Sequence, residues 1–299
     1  MRIFFRCMVW SLSLIVALSV TTALAVEIYK YQDENGNWVF GDKQPEVESE
    51  KLKLEIEQKN TLEPELVTEL INDVEVLSVK NPFYAPIEVV VKSEVFDKGG
   101  ARGVIKANTT EPIYDGGLDY SDAELFWGFG DPEAVHDNQP YHIPTDHYSE
   151  LQVTQSFNGR FSHSAVPNIY AVDIAMDVGT HITAAKAGTV FYVKDDYFYS
   201  GQKEYFADKA NVIYILHEDG TYAAYAHLLG GTAQVKAGDE VSVGTRLARS
   251  GSSGYSTGPH LHFVIRRNAG LQEVSVPFEF IDKAGRLFIP RAGMLVGGK

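Results

Sequence analysis

The sequence predicts an all-β protein, and three observations carry that prediction. From residue 151 onward, short apolar and β-branched runs recur: AVDIAM (171–176), HITAAKAGTVFYVK (181–194), ANVIYILH (210–217), TYAAYAHL (221–228), DEVSVGTRLARS (239–250) and LHFVIR (261–266). Turns rich in Gly and Asp separate them, the punctuation expected between many short strands. No long span carries a clean helical stripe, so the period of the apolar residues argues for sheet.

The elements follow in chain order. Arg2 and Arg6 stand at the head of an apolar stretch that ends in Ala23-Leu24-Ala25. This small-x-small ending reads as a cleaved signal over residues 1–25. The stretch is too short for a membrane span, and no stable membrane insertion is expected after cleavage. Residues 26–46 read as a small β-hairpin domain. Ile28, Tyr29 and Tyr31 lie on one strand and Trp38, Val39 and Phe40 on the next, with Asn35-Gly36 as the turn. This piece resembles a small N-terminal domain of unknown function found in secreted bacterial proteins, with its D-x-x-G turn and aromatic-x-D ending. Residues 47–74, rich in Glu and Lys, read as a charged linker or a short helix. VEVLSV and IEVVVKSEVF place a small β module within 75–145, with a loop-like acidic stretch over 111–150. The larger domain is expected over 146–280, followed by a C-terminal tail over 281–299.

Charge and cysteine usage exclude some functions. The formal net charge is −14, which repels phosphate backbones, and no basic cluster offsets it, so nucleic acid is excluded as a partner. Cys7 is the only cysteine and falls within the predicted leader. The mature chain then holds together by packing and, where its ligands allow, by a metal.

Five histidines and one aspartate stand out. His260 and His262 are two residues apart in a strand and share a face. Taken alone they fit a metal site, an acid/base pair or ordinary polar residues at a strand end. His227 ends TYAAYAH and would share a face with Tyr225 and Ala223, beside small residues that leave its ring room. His217, close to the Asp219-Gly220 turn, reads as a packing or turn residue. Asp173 sits between Val172 and Ile174, with Ala171 and Ala175 on its own face. A carboxylate buried there needs a cation, donors or an arginine. His163 lies ten residues upstream, and a turn across Pro167-Asn168 could return its ring to Asp173. His163, Asp173 and His262 would form a two-imidazole, one-carboxylate set, the ligand count of a catalytic zinc. Such a set also suits iron or manganese; zinc is preferred because hydrolysis needs only a Lewis acid. No HExxH helix supplies a glutamate base, which leaves His227 and His260 as candidate proton carriers.

With AVDIAMDVGTHITAAKAGTV, NVIYILHEDGTYAAYAHL, VKAGDEVSVGTRLARSGSSG and YSTGPHLHFVIR in this order, residues 150–270 resemble the lysostaphin/LytM-type zinc metallopeptidases, which are peptidoglycan endopeptidases. The resemblance implies a largely antiparallel, cradle-like sheet with a groove over zinc. It implies Asp173 and His262 as metal ligands, His260 as general base and His227 as the second catalytic histidine. The family's first histidine stands four residues before the aspartate; here that position is Ile169, and His163 is the substitute if 164–169 form an inserted hairpin. Gly251, Gly254 and Gly258 would let the last loop turn tightly and Tyr255, Ser256 and Thr257 would line the rim, or all six simply shape an ordinary loop; Asn211 would either shape the groove wall or start a strand. The implied activity is zinc-dependent cleavage of peptide cross-links in peptidoglycan stems, in the periplasm after secretion across the inner membrane. The alternatives are a non-catalytic murein-binding or amidase-activating scaffold and a zinc hydrolase acting on proteins.

Overall fold

The computed structural model describes residues 26–32, 38–54, 62–72, 74–96, 100–116 and 120–298. The predicted leader over 1–25 and the Asn35-Gly36 turn lie outside the described residues. Nearly every element is a β-strand, as the all-β prediction requires. Among the described residues no helix is long and apolar enough to cross a membrane.

The first sheet has three strands, β1 (Val26–Gln32), β2 (Trp38–Gly41) and β3 (Glu50–Leu54), with β1 in the middle and both neighbours antiparallel to it. The next six strands are β4 (Glu65–Ile71), β5 (Val74–Lys80), β6 (Ile87–Lys92), β7 (Ala101–Ile105), β8 (Thr110–Tyr114) and β9 (Glu124–Phe129). They form two antiparallel three-stranded sheets, β4-β5-β8 and β7-β6-β9. Leu77, Val79, Phe83, Ile87, Val89 and Val91 fill the core between them.

Two stretches differ from expectation here. Residues 47–74, read as a linker or short helix, supply β3 and β4. β4 is an edge strand that exposes Glu65, Thr68 and Glu69, and charged side chains on an edge hide the strand signal while discouraging further pairing. Residues 111–150 are not all connector, because β8 and β9 complete the two sheets by long-range pairing with β5 and β6.

The remaining strands are β10 (Tyr141–His142), β11 (Glu150–Gln155), β12 (Val172–Ala175), β13 (His181–Thr183), β14 (Gly188–Lys194), β15 (Ser200–Gly201), β16 (Val212–Leu216), β17 (Tyr222–Ala226), β18 (Glu240–Val241), β19 (Arg246–Arg249), β20 (Gly254–Tyr255), β21 (His260–Asn268), β22 (Glu273–Ser275), β23 (Phe280–Ile281), β24 (Leu287–Phe288) and β25 (Leu295–Gly297). A nine-stranded sheet dominates, in the order β18-β14-β16-β17-β21-β12-β11-β25 with β22 on β21, and all of its pairings are antiparallel. One face buries Val172, Ile174, Leu261, Phe263, Ile265, Ile213 and Tyr225 in the main core. The other face carries Asp173 and His262, which sit directly opposite each other across β12 and β21. Period-two alternation forces this separation, since apolar neighbours of a polar residue point the other way.

The segment expected as a tail over 281–299 is structural. β24 pairs with β23, β25 pairs with β11, and Val296 is 3% exposed in the main core.

Candidate metal centre

His163 reaches Asp173. The loop that carries it folds back through Asn158 N–H donating to the Ile169 carbonyl at 2.7 Å and Ala171 N–H to the Asn168 carbonyl at 2.9 Å. The ring is fully buried, and its Nδ1 lies 3.0 Å from the Ser156 carbonyl oxygen. A carbonyl only accepts, so Nδ1 carries the hydrogen and Nε2 presents a bare lone pair. That Nε2 is buried, lacks a hydrogen-bond partner, and lies 3.2 Å from Asp173 Oδ1. His262 Nδ1 lies 2.8 Å from the same oxygen. A neutral His163 sets a lone pair against an acceptor oxygen in a buried place, where a shared proton or a metal cation must sit between them.

The three ligand atoms lie within 4.8 Å of one another, and two imidazoles with a carboxylate form a donor set that suits a divalent ion such as zinc. Burial alone would raise the Asp173 pKa, but the imidazoles of His163 and His262 outweigh it and hold it well below the usual carboxylate range. Burial lowers the His262 pKa, against the pull of Asp173. The lowered values keep Asp173 an anionic donor and favour the neutral imidazole of His262, the forms that metal binding needs.

His260 and His227 stand beside this set. Their rings are 4.5 Å apart between centroids, and His260 Nε2 is 3.8 Å from Asp173 Oδ1. Nδ1 of His260 lies 2.8 Å from the Gly258 carbonyl, and Nδ1 of His227 lies 2.7 Å from the Ser253 carbonyl. The same tautomer argument leaves both Nε2 atoms as acceptors. Burial, then the neighbouring imidazoles of His260 and His262, lower the His227 pKa to about 3, so it is neutral at neutral pH.

The face expected for His227 is corrected. Tyr225 and Ala223 belong to the main core on the opposite side of the sheet. β17 ends at Ala226, and His227 adopts φ 62°, a left-handed conformation rare outside glycine. That turn breaks the alternation, and His227 lines the groove with Ala224 and Ala226. His217 is the packing residue expected, with Nδ1 2.9 Å from the Ala187 carbonyl.

The groove over Asp173 and His262 has a volume of about 610 Å3, and its lining comes from residues between Thr154 and Arg266. Tyr255, Ser256 and Thr257 form part of that lining, as expected for a rim. Asn211 ties the wall together: its carboxamide nitrogen donates to the Tyr197 and Leu228 carbonyls, and its oxygen accepts Tyr197 N–H. Of the loop glycines, Gly254 is demanded by geometry, with φ 80° and a Cβ that would stand 2.6 Å from Ala210 N. Gly258 has open space around it.

Sequence reasoning missed Gln155. Its Nε2 donates to Asp173 Oδ2 at 2.9 Å and to Ser162 Oγ at 2.7 Å, while its Oε1 accepts Phe161 N–H and Ser162 N–H. A glutamine at the end of a polar strand has no local signature; only the fold brings it to Asp173 and to the backbone just before His163. A second cluster, His136, Asp137 and Asp219, already has its cation, because Lys186 Nζ is 2.9 Å from Asp137 and 3.6 Å from Asp219.

Residues 168–274 match the family described as peptidase family M23. Among curated relatives, the chain is 35% identical over 120 residues to the glycyl-glycine endopeptidase ALE-1 of Staphylococcus capitis, covering 40% of this chain and 30% of that one. It is 30% identical over 149 residues to the peptidoglycan DD-endopeptidase ShyC of Vibrio cholerae, covering 47% of this chain and 32% of that one. The chain therefore spans under a third of the length of these relatives. Among solved structures, the catalytic domain of the prophage-encoded M23 protein EnpA of Enterococcus faecalis is 26% identical, with a TM-score of 0.33, covering 44% of this chain and 92% of that one. Within the larger all-β domain, residues 168–274 thus match peptidase family M23.

Proposed function

We propose that this protein is a zinc-dependent endopeptidase that hydrolyses peptide cross-links of peptidoglycan in the periplasm. The observation that carries the reading is the bare, buried Nε2 of His163 facing the carboxylate it shares with His262. His163, Asp173 and His262 would hold the zinc, which supplies Lewis acidity to the scissile carbonyl and the attacking water. His260 Nε2 accepts a proton from that water and returns it to the leaving amine. His227, held neutral and with its Nε2 turned to the groove, accepts the second hydrogen bond of the water and fixes its approach. Ala171, Ala224, Ala226 and Val264 share this face or its floor. Their small size leaves room for an extended peptide with small side chains, such as one containing glycine or D-alanine. The endopeptidase names of the relatives support the reaction class. The leader expected at 1–25 supports the compartment.

The test is metal content together with digestion of purified peptidoglycan. Wild-type protein is expected to hold one zinc and release new amine termini. His260→Ala keeps the zinc and loses turnover by about a hundredfold or more; His163→Ala loses the zinc. Folded protein that never takes up an ion, or His260→Ala with full turnover, would overturn the reading.

A further inference from the structure

The aspartate that ends the N-terminal aromatic-x-D motif has no part in the chemistry above, yet it reaches the catalytic domain. Asp42 follows β2, and its Oδ2 accepts the backbone N–H of Gln202 and of Lys203, each at 2.9 Å. Lys43 Nζ adds a bond to Gln202 Oε1 at 2.7 Å. Two amides on one carboxylate make a charge-assisted clasp. The approach is close: a Cβ on Gly201 would lie 2.6 Å from Asp42 Cγ and 2.5 Å from the Phe206 ring, so only glycine admits the carboxylate there.

The clasped segment is a wall of the site. β15 pairs in parallel with β20. Gly254 N–H donates to the Tyr199 carbonyl at 2.9 Å and Ser256 N–H to the Gly201 carbonyl at 3.2 Å. The β20 stretch begins after Ser253, whose carbonyl takes the His227 Nδ1–H, and leads to Ser256. The Ser256 hydroxyl donates to the Gly258 carbonyl, which also takes the His260 Nδ1–H. Hydrogen bonds joined by one- to three-residue steps of backbone therefore run from Asp42 to the carbonyls that orient both proton-handling imidazoles. Tyr31 and Lys43 of the first sheet, with Phe198, also line a cleft whose other wall, residues 256–259, borders the metal groove.

We propose that Asp42 is a positioning residue, which clasps the N-terminal sheet to residues 200–203 and through them holds the wall that aims His227 and His260. Its effect on turnover rests on the endopeptidase reading; its effect on the wall does not. The three metal ligands arrive on β12, β21 and the 156–171 loop, away from the clasp.

The experiment uses the full mature chain with Asp42→Ala and Asp42→Asn, followed by amide hydrogen exchange, zinc content and kinetics on purified peptidoglycan. In Asp42→Ala, exchange at Gln202 and Lys203 and along Gly254–Ser256 is expected to quicken about tenfold, the loss of a bond to a charged acceptor. Zinc content and overall melting stay at wild-type values. The constant kcat falls about fivefold with KM little changed, as expected when an interaction made mainly in the transition state is weakened. Asp42→Asn, which keeps one acceptor oxygen, falls between. Wild-type exchange at Gly254–Ser256 in Asp42→Ala would overturn the proposal, as would unchanged kcat in a protein whose 202–203 amides have loosened. If wild-type protein does not cleave peptidoglycan, the function reading fails while the exchange result still decides the clasp.

Discussion

Gln155 connects two of the proposed metal ligands, which reach the site by different routes. Asp173 comes in on β12, while His163 comes from a loop, and the carboxamide holds the Asp173 carboxylate with one end and the Phe161–Ser162 backbone with the other. Removing such an outer support weakens metal binding by about 10- to 100-fold. Gln155→Ala is therefore expected to lose zinc to a competing chelator at that much lower chelator strength, with the fold intact by circular dichroism. His217 makes a separate prediction about stability. Burial lowers its pKa from 6.5 to about 4, so between these values the unfolded chain binds a proton that the folded chain refuses. Stability present at neutral pH is then lost as pH falls from about 6.5 toward 4, by about 3 kcal/mol in all. Urea denaturation of His217→Gln is expected to show a flatter dependence across that window; the wild-type slope in the variant would remove His217 as its source. At this scale the sequence disclosed the donors better than their supports. His163 and Asp173 were legible because a buried carboxylate needs a counter-charge. The side of the sheet taken by His227 was not, since alternation extends a strand that the left-handed φ of this residue actually ends.

The strands were legible where they bury one face or both. β12, β16, β17 and β21 alternate or run apolar, and the Asp219-Gly220 turn joins β16 to β17 as its residues suggest. The short and edge strands were not, because their pairing is set by distant partners. β24 and β25 are two and three residues long, and nothing within RLFIP or MLVGG says that a sheet edge awaits them. Yet β25 covers β11, the strand that ends in Gln155, and Val296 sits in the main core. Val296→Asp, an unpaired charge in that core, is expected to cost about 3 kcal/mol and to lower the midpoint of thermal unfolding accordingly. An unchanged midpoint would return the segment to the status of a tail.

Across the whole molecule, the change in composition near residue 151 marked the larger domain, but not what covers it. Phe129 from the middle sheets meets Phe191 at 5.0 Å between ring centroids, Tyr192 at 6.1 Å and Tyr214 at 6.3 Å. Glu88 accepts Asn268 Nδ2 at 2.8 Å and Leu271 N–H at 2.7 Å. These contacts join residues far apart in the chain, which no local pattern announces. They also place the middle sheets at one end of the groove-bearing face, while the lining over the metal ligands starts at Thr154. The upstream module thus braces the sheet, and none of its described residues lines the groove.

The position of His163 has a practical consequence for anyone trimming the gene. A fragment cut to the family-matched stretch, 168–274, would leave behind one of the three proposed ligands, the glutamine that steadies another, and both strands that shield that margin of the sheet. It would also lay bare a seam of tyrosine and phenylalanine rings. Such a shard should come out of the cell sticky and poor in zinc, and its silence in an assay would say nothing about the parent protein.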